Sequence, residues 1–362
     1  MNRVRGFSMV ELMVAITLAL IVTTGVISVF VGSRSAYQAT SGTAELTDGG
    51  RFALNFISNS LRSAGYMACT TASRVQGILN AGSPMLYSFN EALEGYEAVG
   101  TGTGAAYAVA PPPVAGDPTV THWITSGVTP NLDPILAGLP LTNNDVLVVR
   151  STLANAQAVY VSNIVDGTPS FNVNAQGPLA VNQLAAISDC SKAVVFQITA
   201  VGGGIVTHNA AAGAGANGAA AFPLSFSPGA QVTPIDTVVY FIGKGADGDG
   251  ALFSYDLSAV SSGAAPGATE LVPDIEAMQL LYGIDTSNTQ TVSQYVTADL
   301  VPDFNTVMSV KVALLAASAP GSGHQLPGAN TFKLLGTTVT VPVDTRARQV
   351  FEETIAVRNS LP

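Results

Sequence analysis

Few residues in this chain have the types and spacing to do chemistry, and the most informative lie at its start. Arg5-Gly6-Phe7-Ser8-Met9-Val10-Glu11-Leu12 sets a glycine, an aromatic residue and a carboxylate directly ahead of an apolar run. Leu12 to Gly32 carries no charged side chain. A carboxylate at the edge of such a run is costly in lipid unless it is paired, which makes Glu11 a functional residue by default. A cut after Gly6 would make Phe7 the first residue and place a new α-amine one helical turn from Glu11.

The element that must position Glu11 is a helix. About 20 helical residues span a hydrocarbon core of roughly 30 Å. Arg3 and Arg5 precede the run, and positive charge there holds the N-terminus on the cytoplasmic side with the remainder exported. The run exceeds the h-region of a usual secretory signal, and no A-x-A site follows it; the next residues are Ser33-Arg34-Ser35-Ala36-Tyr37. Beyond it, Leu46, Ala53, Leu54, Ile57 and Leu61 keep a helical apolar repeat, predicting that the helix continues as an amphipathic segment docked on a globular head. Phe52 and Phe56 lie next to this stripe and are expected in the head core. Gly25, Gly32, Gly42, Gly49 and Gly50 weaken the helix and could allow bending or melting.

Composition limits what the head can be. Of 362 residues only 10% are charged, with 14 Lys+Arg against 24 Asp+Glu and a net charge of −10. No basic cluster exists to neutralise phosphates, so a nucleic-acid binder working by counterion release is excluded. Hydrophobic residues at 48% argue against disorder. With 36 Gly and 20 Pro, the chain reads as an envelope or secreted protein with long loops. In an oxidising compartment Cys69 and Cys190 are expected to form a disulfide; the alternative is two buried thiols.

Strands are predicted at Asp145–Arg150, Ala158–Ser162, Lys192–Thr199, Asp236–Ile242, Met278–Ile284 and Val307–Leu314. Val350–Asn359 fits a strand, with a helix as the alternative. Gly100–Pro113, Gly202–Ala221 and Ser261–Pro273 read as exposed Gly/Ala/Pro-rich insertions. Helix first and strands after predicts an α+β fold with a long helix packed on an antiparallel sheet. The divisions are residues 1–6 as a leader, 7–32 as the membrane half of the helix, 33–65 as its amphipathic half and 66–362 as one exported head.

Catalytic constellations do not emerge. His122, His208 and His324 stand far apart without metal-ligand spacing and read as solvated loop histidines. There is no G-x-S-x-G elbow and no Walker loop. Asp247-Gly248-Asp249-Gly250 starts like a calcium loop, but position twelve is Ser258, not an acid; a tight turn is the leading reading and Asp247 and Asp249 a weak calcium candidate. No cofactor is expected, and a membrane-anchored enzyme finds no supporting groups.

At this point the start of the chain resembles a known family. Gly6-Phe7-Ser8-Met9-Val10-Glu11-Leu12 ahead of the apolar run is similar to the class III signal of type IV pilins and type II secretion pseudopilins. The resemblance implies cleavage by a membrane prepilin peptidase after Gly6, N-methylation of Phe7, and Glu11 as the carboxylate that pairs with a neighbouring subunit's amine. Many members carry a proline where this chain has Ser28. Ala64-Gly65-Tyr66-Met67-Ala68-Cys69, Asp189-Cys190-Ser191-Lys192-Ala193, Glu276–Asp285 and Phe351–Asn359 resemble the PilW family of minor pilins, related to the J-type minor pseudopilins of type II secretion. That resemblance implies a non-enzymatic minor pilin whose partners are other minor pilins, the major pilin, the prepilin peptidase, the inner-membrane assembly platform and possible tip adhesins. It would sit in the bacterial inner membrane with its head in the periplasm and then move into an extracellular pilus. A minor pseudopilin of type II secretion is the alternative.

Overall fold

The computed structural model describes residues 8–80, 82, 84–109, 116–126, 132–153, 156–177, 179–258, 267–287, 289–321 and 330–360. Helix α1 runs unbroken from Met9 to Ser63, 55 residues, or about 80 Å at the α-helical rise. Among the described residues nothing packs on its first half: Met9, Val10, Leu12, Val22, Val29 and Phe30 are all more than half exposed. Its second half buries Leu46, Gly50, Ala53, Leu54, Ile57, Ser58 and Leu61. Those positions recur every three or four residues, so one stripe faces the head. Ile57 and Leu61 are fully buried, and each such side chain contributes about 1.5–3 kcal/mol.

Phe52 and Phe56 differ from expectation. They are 60% and 43% exposed, because 100° per residue carries them off the buried stripe onto the solvent side. The helical glycines do not break α1 either. Gly50 is a close-approach site: a Cβ there would overlap the Phe351 ring. The helix ends at Ser63, and the chain turns away at Gly65, whose φ of +76° suits a residue without a side chain.

Under α1 lies a four-stranded antiparallel sheet in the order Gln294–Val296, Ile275–Ile284, Val307–Ala317, Arg348–Ala356. Leu280, Tyr282, Val310, Val312, Leu314 and Ile355 from this sheet join the α1 stripe in one core. The last strand settles the choice near the C-terminus: Arg348–Ala356 pairs along its whole length with Val307–Ala317, from Ala317↔Arg348 to Ser309↔Ala356.

A larger sheet is organised by Gln231–Lys244, 14 residues long. Its C-terminal half pairs with Val146–Thr152 and Gly250–Asp256, its N-terminal half with Leu184–Ser188 and Val159–Ile164. Leu184–Ser188 and Ala193–Gln197 are buried on both faces. Leu184, Ala186 and Val195 face one core. Ala185, Ile187, Val194 and Phe196 face another. The second core is the inside of an outer lobe built by Val159–Ile164, Ser170–Val173 and Ile205–Thr207.

Two ladders depart from the expected antiparallel head. Val75–Gly77 runs parallel to Ala193–Gln197, and Ala106–Ala108 runs parallel to Thr337–Thr340. Both join segments far apart in sequence, where local patterning carries no register information. They also place strand within one expected loop, Gly100–Pro113. Gly202–Ala221 likewise contains Ile205–Thr207, and its Ala-rich part is held down by Asn217. That side chain is fully buried; it accepts from Gln197 N at 2.7 Å and donates to Gln197 O at 2.7 Å. Ser261–Pro273 ends in the strand Thr269–Pro273, and residues 261–266 of it lie outside the described residues.

Candidate assembly site on the N-terminal helix

Glu11 sits in the first turn of α1, exposed, between Val10 (69% exposed) and Leu12 (55% exposed). A carboxylate is favoured at this end, where the helix macrodipole is positive. Ser8 is the N-cap, and Leu12 N donates to Ser8 O at 3.1 Å. Gly6 and Phe7 lie outside the described residues. The sequence still sets Glu11 four positions after Phe7, the spacing that puts two helical groups on one face.

The exposed half of α1 is also adapted to lipid in a way that apolar counting missed. Thr23 Oγ1 donates to Ala19 O at 2.7 Å, Thr24 Oγ1 to Leu20 O at 2.8 Å and Ser28 Oγ to Thr24 O at 2.9 Å. Each hydroxyl is satisfied within the helix, as a bilayer requires. Such back-bonding replaces water and tends to bend a helix slightly.

The head is tied to the helix at its C-terminal end. Arg62 Nη2 and Ser58 Oγ each reach Glu353 Oε1 at 3.3 Å, and Asn359 Nδ2 donates to Ala64 O at 3.0 Å. Just beyond, Cys69 and Cys190 are joined by a disulfide spanning 121 positions. Chain-entropy arguments give a loop of that size about 4–5 kcal/mol of stabilisation. The bond fixes the segment after α1 to the turn before Ala193–Gln197, and thus locks helix and sheets into one head.

The remaining candidates fall differently. Asp247 and Asp249 lie in the hairpin turn between Gln231–Lys244 and Gly250–Asp256, where Asp249 N donates to Asp247 Oδ1 at 3.0 Å. With Asp274 they place carboxylate oxygens within 4.8 Å of one another. The buried guanidinium of Arg346 fills the positive role there: Nη1 meets Asp249 at 2.7 Å, Nη2 meets Asp274, and Nε donates to Ser318 O at 2.6 Å. Burial pushes Asp274 above the usual carboxylate range against the pull of Arg346. Nothing in the sequence marked Arg346, because its partners come from three distant segments.

His122 is about half exposed and bonds Asp117. His208 is not the solvated loop residue its glycine-rich surroundings suggest; it is fully buried among phenylalanines. His324 lies outside the described residues. Sequence reasoning also missed a buried acid pair. Asp145 accepts from Ala98 N at 3.1 Å and Leu280 N at 2.7 Å, stitching the two large sheets together. Burial, and then the charge of Asp145, hold the neighbouring Glu97 carboxyl well above its usual range.

Two comparisons with known families bear on this arrangement. Residues 1–27 match the family model described as Prokaryotic N-terminal methylation motif. Residues 239–359 match the model described as Type IV Pilus-assembly protein W. The start of the chain is thus similar to prepilin-type N-termini, and its C-terminal third is similar to PilW-type pilus-assembly proteins. The PilW match begins inside Gln231–Lys244 and takes in the four-stranded sheet under α1, so the strands that hold the helix lie within the matched region. The outer lobe lies outside the matched residues. No curated protein matches the chain. Among solved structures, a type IV-like pilin from Thermus thermophilus is similar at 18% identity over 50% of this chain and 85% of its own, with a TM-score of 0.22, too low to bear on the fold. Helix α1 has the length and apolar composition of a membrane anchor, and among the described residues no other helix is long and apolar enough to cross a membrane.

Proposed function

We infer that this chain is a PilW-type minor pilin that joins a small complex of minor pilins, primes type IV pilus assembly and stays at the tip. In this reading residues 1–6 are removed by the prepilin peptidase, Phe7 is methylated, and Glu11 pairs with the amine of a neighbouring subunit. Residues 7–32 wait in the inner membrane and then enter the filament core, residues 33–65 carry the head, and residues 66–362 form the part that other minor pilins, the major pilin, the assembly platform and a tip adhesin would meet. The role is structural rather than catalytic.

The observation that supports this most is Glu11. It is a lone carboxylate in the first turn of an exposed apolar helix, rigidly continuous with a docked head. Such a helix needs lipid or other helices around it, and such a carboxylate needs a positive partner. Gold-labelled antibody against the head tests the location. Labelling at filament ends is expected, at one end per filament. Uniform labelling along the shaft would contradict a tip role, and absence from filaments with retention in a secretion complex would favour the pseudopilin alternative.

A further inference from the structure

The outer lobe is almost free of charge. From Ala193 to Ile235 the chain contains one ionisable side chain, His208. That residue sits inside the lobe's core and is fully buried. Its ring stacks on Phe222 with centroids 4.0 Å apart and planes 9° from parallel. Phe196 stands edge-on at 5.4 Å and Phe171 at 5.9 Å. The backbone is anchored, since His208 N donates to Pro169 O at 2.8 Å. Among the described residues neither ring nitrogen, Nδ1 or Nε2, has a hydrogen-bond partner.

This placement makes the imidazole a closure for the segment 208–226. Asn209 N donates to Thr199 Oγ1 at 3.0 Å on one side of it, and Phe222, Leu224 and Phe226 pack onto the lobe core on the other. A neutral ring tolerates the site as an aromatic body. A protonated ring carries a charge and two N–H donors with nowhere to place them. Ring faces offer an imidazolium about 1–2 kcal/mol of cation–π attraction, less than the desolvation penalty of a buried, unpaired charge.

We propose that His208 is an acid-sensitive latch: its protonation expels the ring from the aromatic box and frees residues 208–226 from the outer lobe. Among the described residues no charged group faces the ring as an alternative sensor. The strand Ser170–Val173 presents Phe171, Ala193–Gln197 presents Phe196, and the closing segment presents Phe222. The nearby charges are Lys192, whose Nζ lies over the Phe226 ring at 5.6 Å and pairs with Asp189 at 3.6 Å, and Asp166 in an exposed turn.

Burial pulls the His208 pKa down from 6.5 to about 4. The folded lobe therefore binds fewer protons than the opened one between these values. Closure is fully present above pH 6.5, is lost progressively as pH falls, and reaches its full loss below about pH 4. For one such group the open fraction rises about 30-fold between pH 7.5 and pH 5.

Hydrogen exchange of the full-length chain in detergent micelles reads this directly. After correction for the intrinsic pH dependence of exchange, amides of residues 200–230 should lose protection by that factor at pH 5, while those under α1 keep theirs. His208→Phe should abolish the step, because the aromatic box stays filled without a titrating group. An equal step in wild type and His208→Phe would overturn the proposal, as would no step in wild type. If His208→Phe does not fold, an NMR titration of the wild-type imidazole decides. A midpoint near 4 is expected, and a midpoint at 6.5 or above overturns the latch.

Discussion

Replacing Gly6 with valine is expected to leave the leader on the chain and abolish its mature form. A peptidase that cuts in the plane of a membrane must bring the Gly6–Phe7 peptide bond against its own catalytic groups, and a residue without a side chain permits that close approach. Valine adds a branched Cβ at the point of attack. The consequence extends beyond processing. Without the cut there is no α-amine at Phe7, so Glu11, already exposed in the first turn of α1, has no partner to set its register. Mass analysis of the membrane fraction checks this. The variant should keep residues 1–6 while the wild-type chain loses them; a variant trimmed as completely as wild type would remove Gly6 from the account.

Replacing Glu11 with valine should act one step later. The chain is still cut, because the change lies four residues past the scissile bond and the helix remains apolar. Assembly suffers, because the neighbour's amine is left stranded in a low-dielectric environment. Breaking one side of a buried ion pair costs about 3–5 kcal/mol, a hundredfold or more in any equilibrium it controls. The readouts are filament number by electron microscopy and the amount of this chain in sheared filaments, both expected to fall steeply. Normal values for both, with normal processing, would sink the pairing role.

How far these features were legible in the sequence depends on the range of the contacts behind them. The α1 stripe of Leu46, Ala53, Leu54, Ile57 and Leu61 was readable because helical periodicity is local. The same periodicity, followed strictly, would have placed Phe52 and Phe56 outside; their aromatic character pulled the expectation inward, whereas the structure leaves them exposed. Strands rich in valine and isoleucine were found within a few residues, but the parallel partners of Val75–Gly77 and Ala106–Ala108 were not, since their ladders close over long stretches of chain. The Ala-rich run after His208 looked like an exposed insertion because its order comes from one side chain, Asn217, pairing with a distant backbone.

The assembly residues show the opposite balance. Gly6, Phe7 and Glu11 were singled out from a short contiguous motif and its resemblance to the class III signal, since a cut site and a helical turn are short-range features. Arg346 and the Glu97–Asp145 pair were invisible because they depend on which segments the fold brings together. His208 was misjudged for a related reason. Glycine and alanine neighbours suggest solvent, yet here they let the chain fold tightly over three phenylalanines.

The measurement closest to the central claim is the N-terminus of this chain recovered from sheared filaments and read by mass spectrometry. A chain that begins at Phe7 and carries an N-methyl group is the predicted result. A chain that begins at an unmodified Met1 would contradict the account from its first step.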